Sequence, residues 1–244
     1  MKVESAGGVA ESVTAPRKRA VSPAVKAGTR TSGGRRSPEE LQELILQTAT
    51  EEFAEHGFSG ARIDRMSKTA GTVDRMIYYY FDKKEGLYQA VLERAYEDIN
   101  RAMSSFDCPL DNPLEGIRQL IVHNWEYHVK HQNGVRLLMN ENLLRGVYLK
   151  KSKKARRIHH PLLTTTATLL AEGKKRKLIR EDAEVDTTLL TILSLVFFYL
   201  SNQYTCGSWM SINLAKKAQM DSWIKHICEV VILSLKPLNG EANG

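Results

Sequence analysis

An all-α fold is what this sequence predicts, and three observations carry the prediction. Apolar residues recur at three- and four-residue intervals from residue 38 onward, and no segment sustains the alternation of a half-buried strand. The periodic stretches are separated by Gly, Pro and Asn, the residues that stop helices. A hydrophobic share of 42% with 7% aromatics is the composition of a chain that builds a core, and 244 residues suffice for one generous domain or two modest ones. About nine helices are expected. A three-helix helix-turn-helix unit at 38–98 would be followed by a helical body at 107–238.

The net charge of +7 belongs to one end of the chain. Residues 1–37 hold eight Lys/Arg and two acids, which leaves 27 bases and 26 acids for everything after them. This tail is rich in Ala, Gly, Ser, Pro and Arg and has no aromatic, so it cannot bury enough surface to offset its ordering entropy and is expected to be disordered. Two readings of it stay open: a basic arm for phosphates or a minor groove, and a solubilising leader.

Order should begin at Ser37-Pro38-Glu39-Glu40, where Ser37 caps, Pro38 suits the first helical position and Glu40 closes a capping box. Leu41, Leu44, Ile45, Ala49 and Phe53 make one apolar stripe, and Gly57 supplies the stop. A second helix carries Ile63, Met66 and Ala70 on one face, and a third carries Ile77 and Phe81. Between them Gly71 permits the sharp reversal that a Cβ would resist. Asp82-Lys83-Lys84-Glu85 reads as another capping box, opening a fourth helix that ends before Cys108-Pro109. In the body, helices are expected from Leu114 to Asn133-Gly134, from Val135 toward Leu149, after Pro161 to Gly173, from Val185 to a stop at Gly207, and from Leu214 to Leu235.

Two short helices joined by a Gly turn, the second basic and aromatic, are equipment for a DNA major groove. Charge sorting agrees. Pro38 to Glu55 carries six acids and no base, whereas Arg62 to Lys84 carries six bases against three aspartates. A polyanion is drawn to the second segment and repelled by the first.

The stretch resembles the TetR family of transcriptional regulators. Phe53-Ala54-Glu55-His56-Gly57-Phe58, Ala70-Gly71 and Ile77-Tyr78-Tyr79-Tyr80-Phe81 followed by Lys84-Glu85 and Leu87 stand at that family's spacing, over about fifty residues. Tyr88-Gln89-Ala90-Val91-Leu92-Glu93 and Trp223-Ile224 with Ile227 are nearer the branch of repressors of pyrimidine and heterocyclic-acid catabolism. The resemblance implies a homodimeric repressor, bound to a palindromic double-stranded DNA operator and released by a small-molecule effector. It also implies DNA contacts from Arg62, Asp74, Arg75, Met76, Tyr79, Tyr80 and Lys84, with Lys84 at the family's phosphate clamp. Arg75 has the fork that reads guanine O6 and N7. Tyr78 is expected to pack inward against the first helix. Two departures matter. Val73 stands where the family has a capping Ser or Asn, so Thr72 or Asp74 takes over. Asp74 stands where a Lys is common, and it either caps the helix or accepts from cytosine N4; capping is the preferred reading.

Leu189, Ile192, Leu193, Val196, Phe197 and Leu200, with Trp223, Ile224, Ile227, Val230 and Val231, make the last two helices apolar on more than one side. The resemblance implies that these helices pair with a second copy, and the expected interface residues are Leu193, Phe197, Trp223, Ile227, Val230 and Val231. Placement on the middle helices nominates His123, Trp125, Tyr127, Asn140, Asn142, Phe197, Tyr199 and Gln203 for an effector pocket.

No metal and no cofactor are expected. His123, His128 and His131 have only Glu126 nearby to complete a ligand set, and they read as packing or pocket residues. Lys150–Arg157 and Lys174–Lys177 read as solvated connectors. No phosphate loop, Gly-x-Ser-x-Gly elbow or His-Glu-x-x-His points to an enzyme. Three widely spaced cysteines make no disulfide framework and suit a reducing cytoplasm, and the stretch from Val3 to Val13 predicts no secretory leader. The most apolar run, Leu189 to Leu200, is too short to span a bilayer. The alternative from another class is a helical interaction protein whose basic head binds an acidic partner.

Overall fold

The computed structural model of the chain describes residues 36–154 and 161–237, and every element among them is a helix. They run α1 Pro38–Gly60, α2 Ile63–Thr69, α3 Asp74–Phe81, α4 Lys84–Ser104, α5 Pro113–Lys130, α6 Gln132–Leu143, α7 Val147–Lys151, α8 Pro161–Lys175, α9 Val185–Met210 and α10 Lys217–Leu235. The basic tail before Arg36 lies outside the described residues, as do His159, His160 and the end of the lysine-rich run.

The first helix starts as its sequence dictates. Glu40 N–H donates to Ser37 Oγ at 3.1 Å, and Ser37 N–H donates to Glu40 Oε2 at 2.8 Å, a complete capping box. Ile45, Ala49, Phe53 and Ala54 then pack on Met66, Ile77, Leu87, Tyr88, Val91 and Leu92 to form the head's core. Leu137 of α6 is also fully buried in that core, and Tyr148 and Leu149 of α7 lean on it. Phe53, Phe58, Tyr88 and Tyr148 meet with ring centroids 4.9 to 5.1 Å apart, the separation of favourable edge and tilted pairs.

Several expected boundaries move. The first helix breaks at Gly57, whose φ of 66° is the expected left-handed stop, and a further turn beyond the kink carries α1 on to Gly60. Asp82 does not cap α4: with a φ of 64° it closes α3, its N–H donating to Tyr78 O, and α4 opens from Lys83 without a side-chain cap. Gly134 lies inside α6, and the actual break is at His131. The stretch from Val135 to Leu149 is two helices, because Arg145 and Gly146 both take positive φ; this raises the described count to ten. Gly207 does not stop α9 either. A Cβ there would stand 2.7 Å from Ile212 O, so the glycine admits the chain folding back, and Ser211 in the left-handed region ends the helix.

The body's core gathers Ile117, Leu120, Ile121 and Trp125 of α5 with Leu169 and Leu170 of α8, Ile192, Val196 and Leu200 of α9, and Ile227, Val231 and Leu235 of α10. With its full length of 26 residues, α9 is long and apolar enough to cross a membrane, a property the shorter run in the sequence did not reveal. Its buried side packs against α5, α6, α8 and α10, and the rest of its apolar surface is left uncovered in the single chain.

Candidate nucleic-acid interface and ligand cavity

The α2–α3 pair is shaped by pairing on its inner side. Arg65 donates from Nε to Glu52 Oε1 at 2.8 Å and from Nη2 to Gly60 O at 2.8 Å, while Arg62 N–H donates to Glu52 Oε1 at 2.9 Å. Burial works against the Glu52 carboxylate, but the Arg65 hydrogen bond, the Arg62 N–H and the neighbouring positive charge outweigh it and hold its pKa below the usual range. The acids of α1 therefore bind the head together as well as repel phosphate. Ser67, buried on α2, donates its hydroxyl to Asp74 Oδ1 and fastens the start of α3 to α2. This corrects the capping assignment: α3 starts from Val73 with no side-chain cap, and the Asp74 carboxylate is held by Ser67. Gly71 takes a φ of 63°, as the turn requires.

What remains outward is a narrow face of α3. Ile77 is fully buried, Met76 and Tyr80 are half-buried, and Arg75, Tyr78 and Tyr79 are exposed at three- and four-residue spacing. Arg75 has no ion-pair partner among the described residues. Tyr78 is 46% exposed rather than packed on α1, and stands beside Tyr79, which is 77% exposed. Tyr79 and Tyr80 meet edge to face at 5.2 Å. Arg62 is exposed but bound to Asp64, Nε to Oδ1 at 2.9 Å, and this hydrogen bond raises its pKa. Lys84 stands with Nζ 5.0 Å from the centre of the Phe58 ring, and partial burial lowers its pKa. All seven expected contact residues thus keep exposed or half-buried side chains, though Asp74 is tied to Ser67, Arg62 to Asp64, and Tyr80 packs partly on the head's core.

In the body a cavity of about 550 Å³ opens between α4, α5, α6, α8 and α9. Its walls are apolar (Ile99, Met103, Leu138, Leu162, Leu189, Leu193, Val196 and Phe197 among them), with Tyr96, Asn100, Asn124, His128, Asn142 and Ser194 as polar members. Of the eight residues nominated for a pocket, only Asn142 and Phe197 line it. His123 donates a ring N–H to Ala102 O at 2.8 Å, and Tyr127 stacks on His131 at 4.5 Å. Trp125 packs on Tyr199, whose hydroxyl donates to Leu214 O at 2.8 Å. Asn140 donates to Phe53 O at 3.4 Å, and Gln203 donates to Leu200 O at 3.1 Å beside a smaller cleft. The lining residues not nominated include Tyr96 and Asn100 on α4, Asn124 on α5 and apolar residues of α6, α8 and α9, while His128, read only as a packing or pocket residue, lines the cavity too. Asn124 and His128 interrupt an apolar helix face four residues apart, and Tyr96 and Asn100 do the same on α4; that spacing was the available signal.

The apolar surface of the last two helices also differs from expectation. Ile227 and Val231 are buried in the core of the single chain against α5, and Trp223 stacks on Tyr199 at 5.3 Å, while Leu193 and Phe197 face the cavity. The exposed large apolar and aromatic residues are Leu190, Phe198, Tyr204, Trp209 and Met210 on α9 and Val230, as expected, with Leu233 on α10. Among the described residues no group of His, Cys, Asp or Glu is arranged to hold a metal ion.

A family model described as bacterial regulatory proteins, tetR family, matches residues 45–91, and one described as the tetracyclin repressor-like C-terminal domain matches residues 113–231. The HTH-type transcriptional repressor NicS of Pseudomonas putida is 33% identical over 209 residues, covering 85% of this chain and 99% of that protein. The HTH-type transcriptional regulator RutR of Escherichia coli is 30% identical over 115 residues, covering 47% of this chain and 54% of its own. A putative transcriptional regulator from Streptomyces coelicolor, SCO4942, shares the fold with a TM-score of 0.56 at 22% identity, over 78% of this chain and 97% of that one.

Proposed function

The chain belongs to the TetR family of DNA-binding transcriptional regulators, and from that premise we propose that it is a dimeric repressor which leaves a palindromic operator when a small molecule enters the cavity between α4, α5, α6, α8 and α9. The relatives are regulators, not enzymes, and the proposed site of action is DNA in the cytoplasm.

The observation that carries the reading is that two helices serve both ends. α4 contributes Tyr96, Ile99, Asn100 and Met103 to the cavity, and its first turns supply Leu87, Tyr88, Val91 and Leu92 to the head's core. α6 contributes Leu138 and Asn142 to the cavity, and its other side grips α1 through Leu137, Asn140 and the Arg136–Glu55 pair at 2.7 Å. An occupant that spreads the cavity walls displaces the head through both. Two heads on one dimer must match half-sites ~34–36 Å apart, so a small rotation of each is enough to lose the register. The exposed faces of α9 and α10, with Phe198 at the middle of α9 and Leu233 in the last turn of α10, are the surfaces proposed to meet the second copy.

On the DNA, Arg75, Tyr78 and Tyr79 would enter the groove, with Arg62, Met76, Tyr80 and Lys84 at its edges. Asp74 would stay with Ser67 and position the helix. The test uses an operator selected from a random duplex pool by the parent protein. Arg75→Ala should weaken binding to it by about 1–3 kcal/mol and relax base preference at one position per half-site. Tyr79→Ala should weaken it as well, and both variants should keep the parent's circular dichroism. Parent-like affinity and preference in both would put the reading surface elsewhere.

A further inference from the structure

The cavity's polar groups specify what it takes. Asn124 is fully buried, its Nδ2 occupied by Met103 Sδ at 3.7 Å, and its Oδ1 has no hydrogen-bond partner. His128, one turn along α5 and 5% exposed, has a buried Nδ1 without a partner. Across from them on α4 the buried Nδ2 of Asn100 is likewise unpaired. Buried polar atoms are nearly always hydrogen-bonded, so three unpaired ones in the wall of one cavity mark groups that await an occupant. They offer a donor, an acceptor and a ring nitrogen, and no formal charge stands among the described residues that line the cavity. Burial, with His131 adding to it, pushes the His128 imidazole down to about 4, so that ring supplies no positive charge at neutral pH.

We infer that the cavity binds an uncharged, mostly apolar ligand whose polar edge carries a hydrogen-bond acceptor beside a donor, as a carboxamide or lactam does, and that it excludes the corresponding carboxylate. This rests on the cavity being the effector site. A carboxylate would bring a full charge against mostly apolar walls with no cation among the described lining residues, whereas an amide satisfies Asn100 and Asn124 and leaves its ring to Phe197 and the leucines.

The experiment is calorimetric titration of the full chain at neutral pH with 2-naphthamide and 2-naphthoate, which share a shape and differ in charge. The amide should bind at least about tenfold more tightly than the acid. Asn124→Leu should reduce amide affinity about tenfold, and Asn100→Leu, a milder change on a half-buried residue, should do so if the first variant does not fold. Equal or tighter binding of the acid overturns the inference, and so does failure of both compounds to bind or parent-like amide binding in the folded Asn variants. Ser194→Trp, which fills the cavity mouth, separates this from the effector reading. Amide bound equally well by that variant sits elsewhere, which removes the cavity assignment and the inference with it. Selective binding in the cavity that leaves operator affinity unchanged upholds the ligand class and removes the effector role.

Discussion

The α2–α3 pair and the cavity use polar groups in opposite ways. In the pair, charge and hydroxyl are matched within the chain: Arg65 with Glu52 and Gly60 O, Ser67 with Asp74, and the exposed Arg62 with Asp64. The matching fixes the angle at which Arg75, Tyr78 and Tyr79 are presented. In the cavity, Asn100, Asn124 and His128 keep buried atoms with no partner. A surface that must recognise a rigid duplex benefits from internal satisfaction, which removes alternative geometries. A site that must respond to an arriving molecule benefits from unmet bonds, because the occupant then changes the balance of states.

The largest expected effect comes from the body's core, on which the cavity helices α5 and α9 pack. Ile227→Asp puts a carboxylate in a fully buried position against α5 and should cost about 4 kcal/mol or more, giving an unfolded or aggregated chain by circular dichroism. Phe198→Asp, on an exposed site of α9, should leave the chain helical and soluble and yield monomers in sedimentation. A folded monomer from Ile227→Asp would move that side chain to the dimer surface, and an intact dimer from Phe198→Asp would clear α9's outer face of any role in assembly.

The two regions also differed in how much of them could be read from the chain. Most of what shapes α3 lies in one continuous stretch, Ile45 to Leu92, so helical spacing alone separated Ile77 from Arg75 and Tyr79. Tyr78 was misplaced because spacing does not say which of three consecutive tyrosines packs on the core, and it is Tyr80 that does. The capping role given to Asp74 failed because Ser67 competes for its carboxylate across the turn. The cavity is assembled from five helices, and its lining depends on how α4 rolls against α5, which no local pattern encodes. Trp125 and Ile227 looked like pocket and interface residues since their helices are apolar on several sides, and only packing decides which side meets the core.

A smaller effect tests whether the cavity wall is dry and uncharged. His128 has its pKa lowered from 6.5 to about 4 by burial first and His131 second. The unfolded chain therefore binds this proton at a higher pH than the folded chain does. Stability associated with His128 is complete above its unfolded value of about 6.5 and falls as the pH drops toward the folded value. By pH 5 the loss should be about 2 kcal/mol, at 1.36 kcal/mol per pH unit. The measurement is denaturant unfolding of the parent and of His128→Leu at pH 7 and pH 5. The parent should lose about 2 kcal/mol more than the variant, and equal losses would mean that His128 is hydrated or paired in the folded chain.

The smallest expected effect addresses how the two regions communicate. α4 runs continuously from the cavity to the head, but α6 reaches both as well, through Leu138 and Asn142 on one side and Arg136 and Asn140 on the other. The α6 grip is slight in bond strength: the Asn140–Phe53 hydrogen bond is long at 3.4 Å, and the Arg136–Glu55 pair is largely exposed. Its value would lie in where it holds, beside the kink at Gly57 that directs the chain into α2. Leu193→Trp fills part of the cavity and serves as a built-in occupant, so it should weaken operator binding by itself. In a chain that also carries Arg136→Ala and Asn140→Ala, the same filler should weaken it about fivefold less, a coupling of about 1 kcal/mol. Operator affinity without the filler should change by less than about twofold, since neither residue stands on the α3 face and exposed pairs contribute little. An unchanged penalty would assign the whole transmission to α4. A penalty abolished outright would make α6 the main lever, with α4 as its pivot.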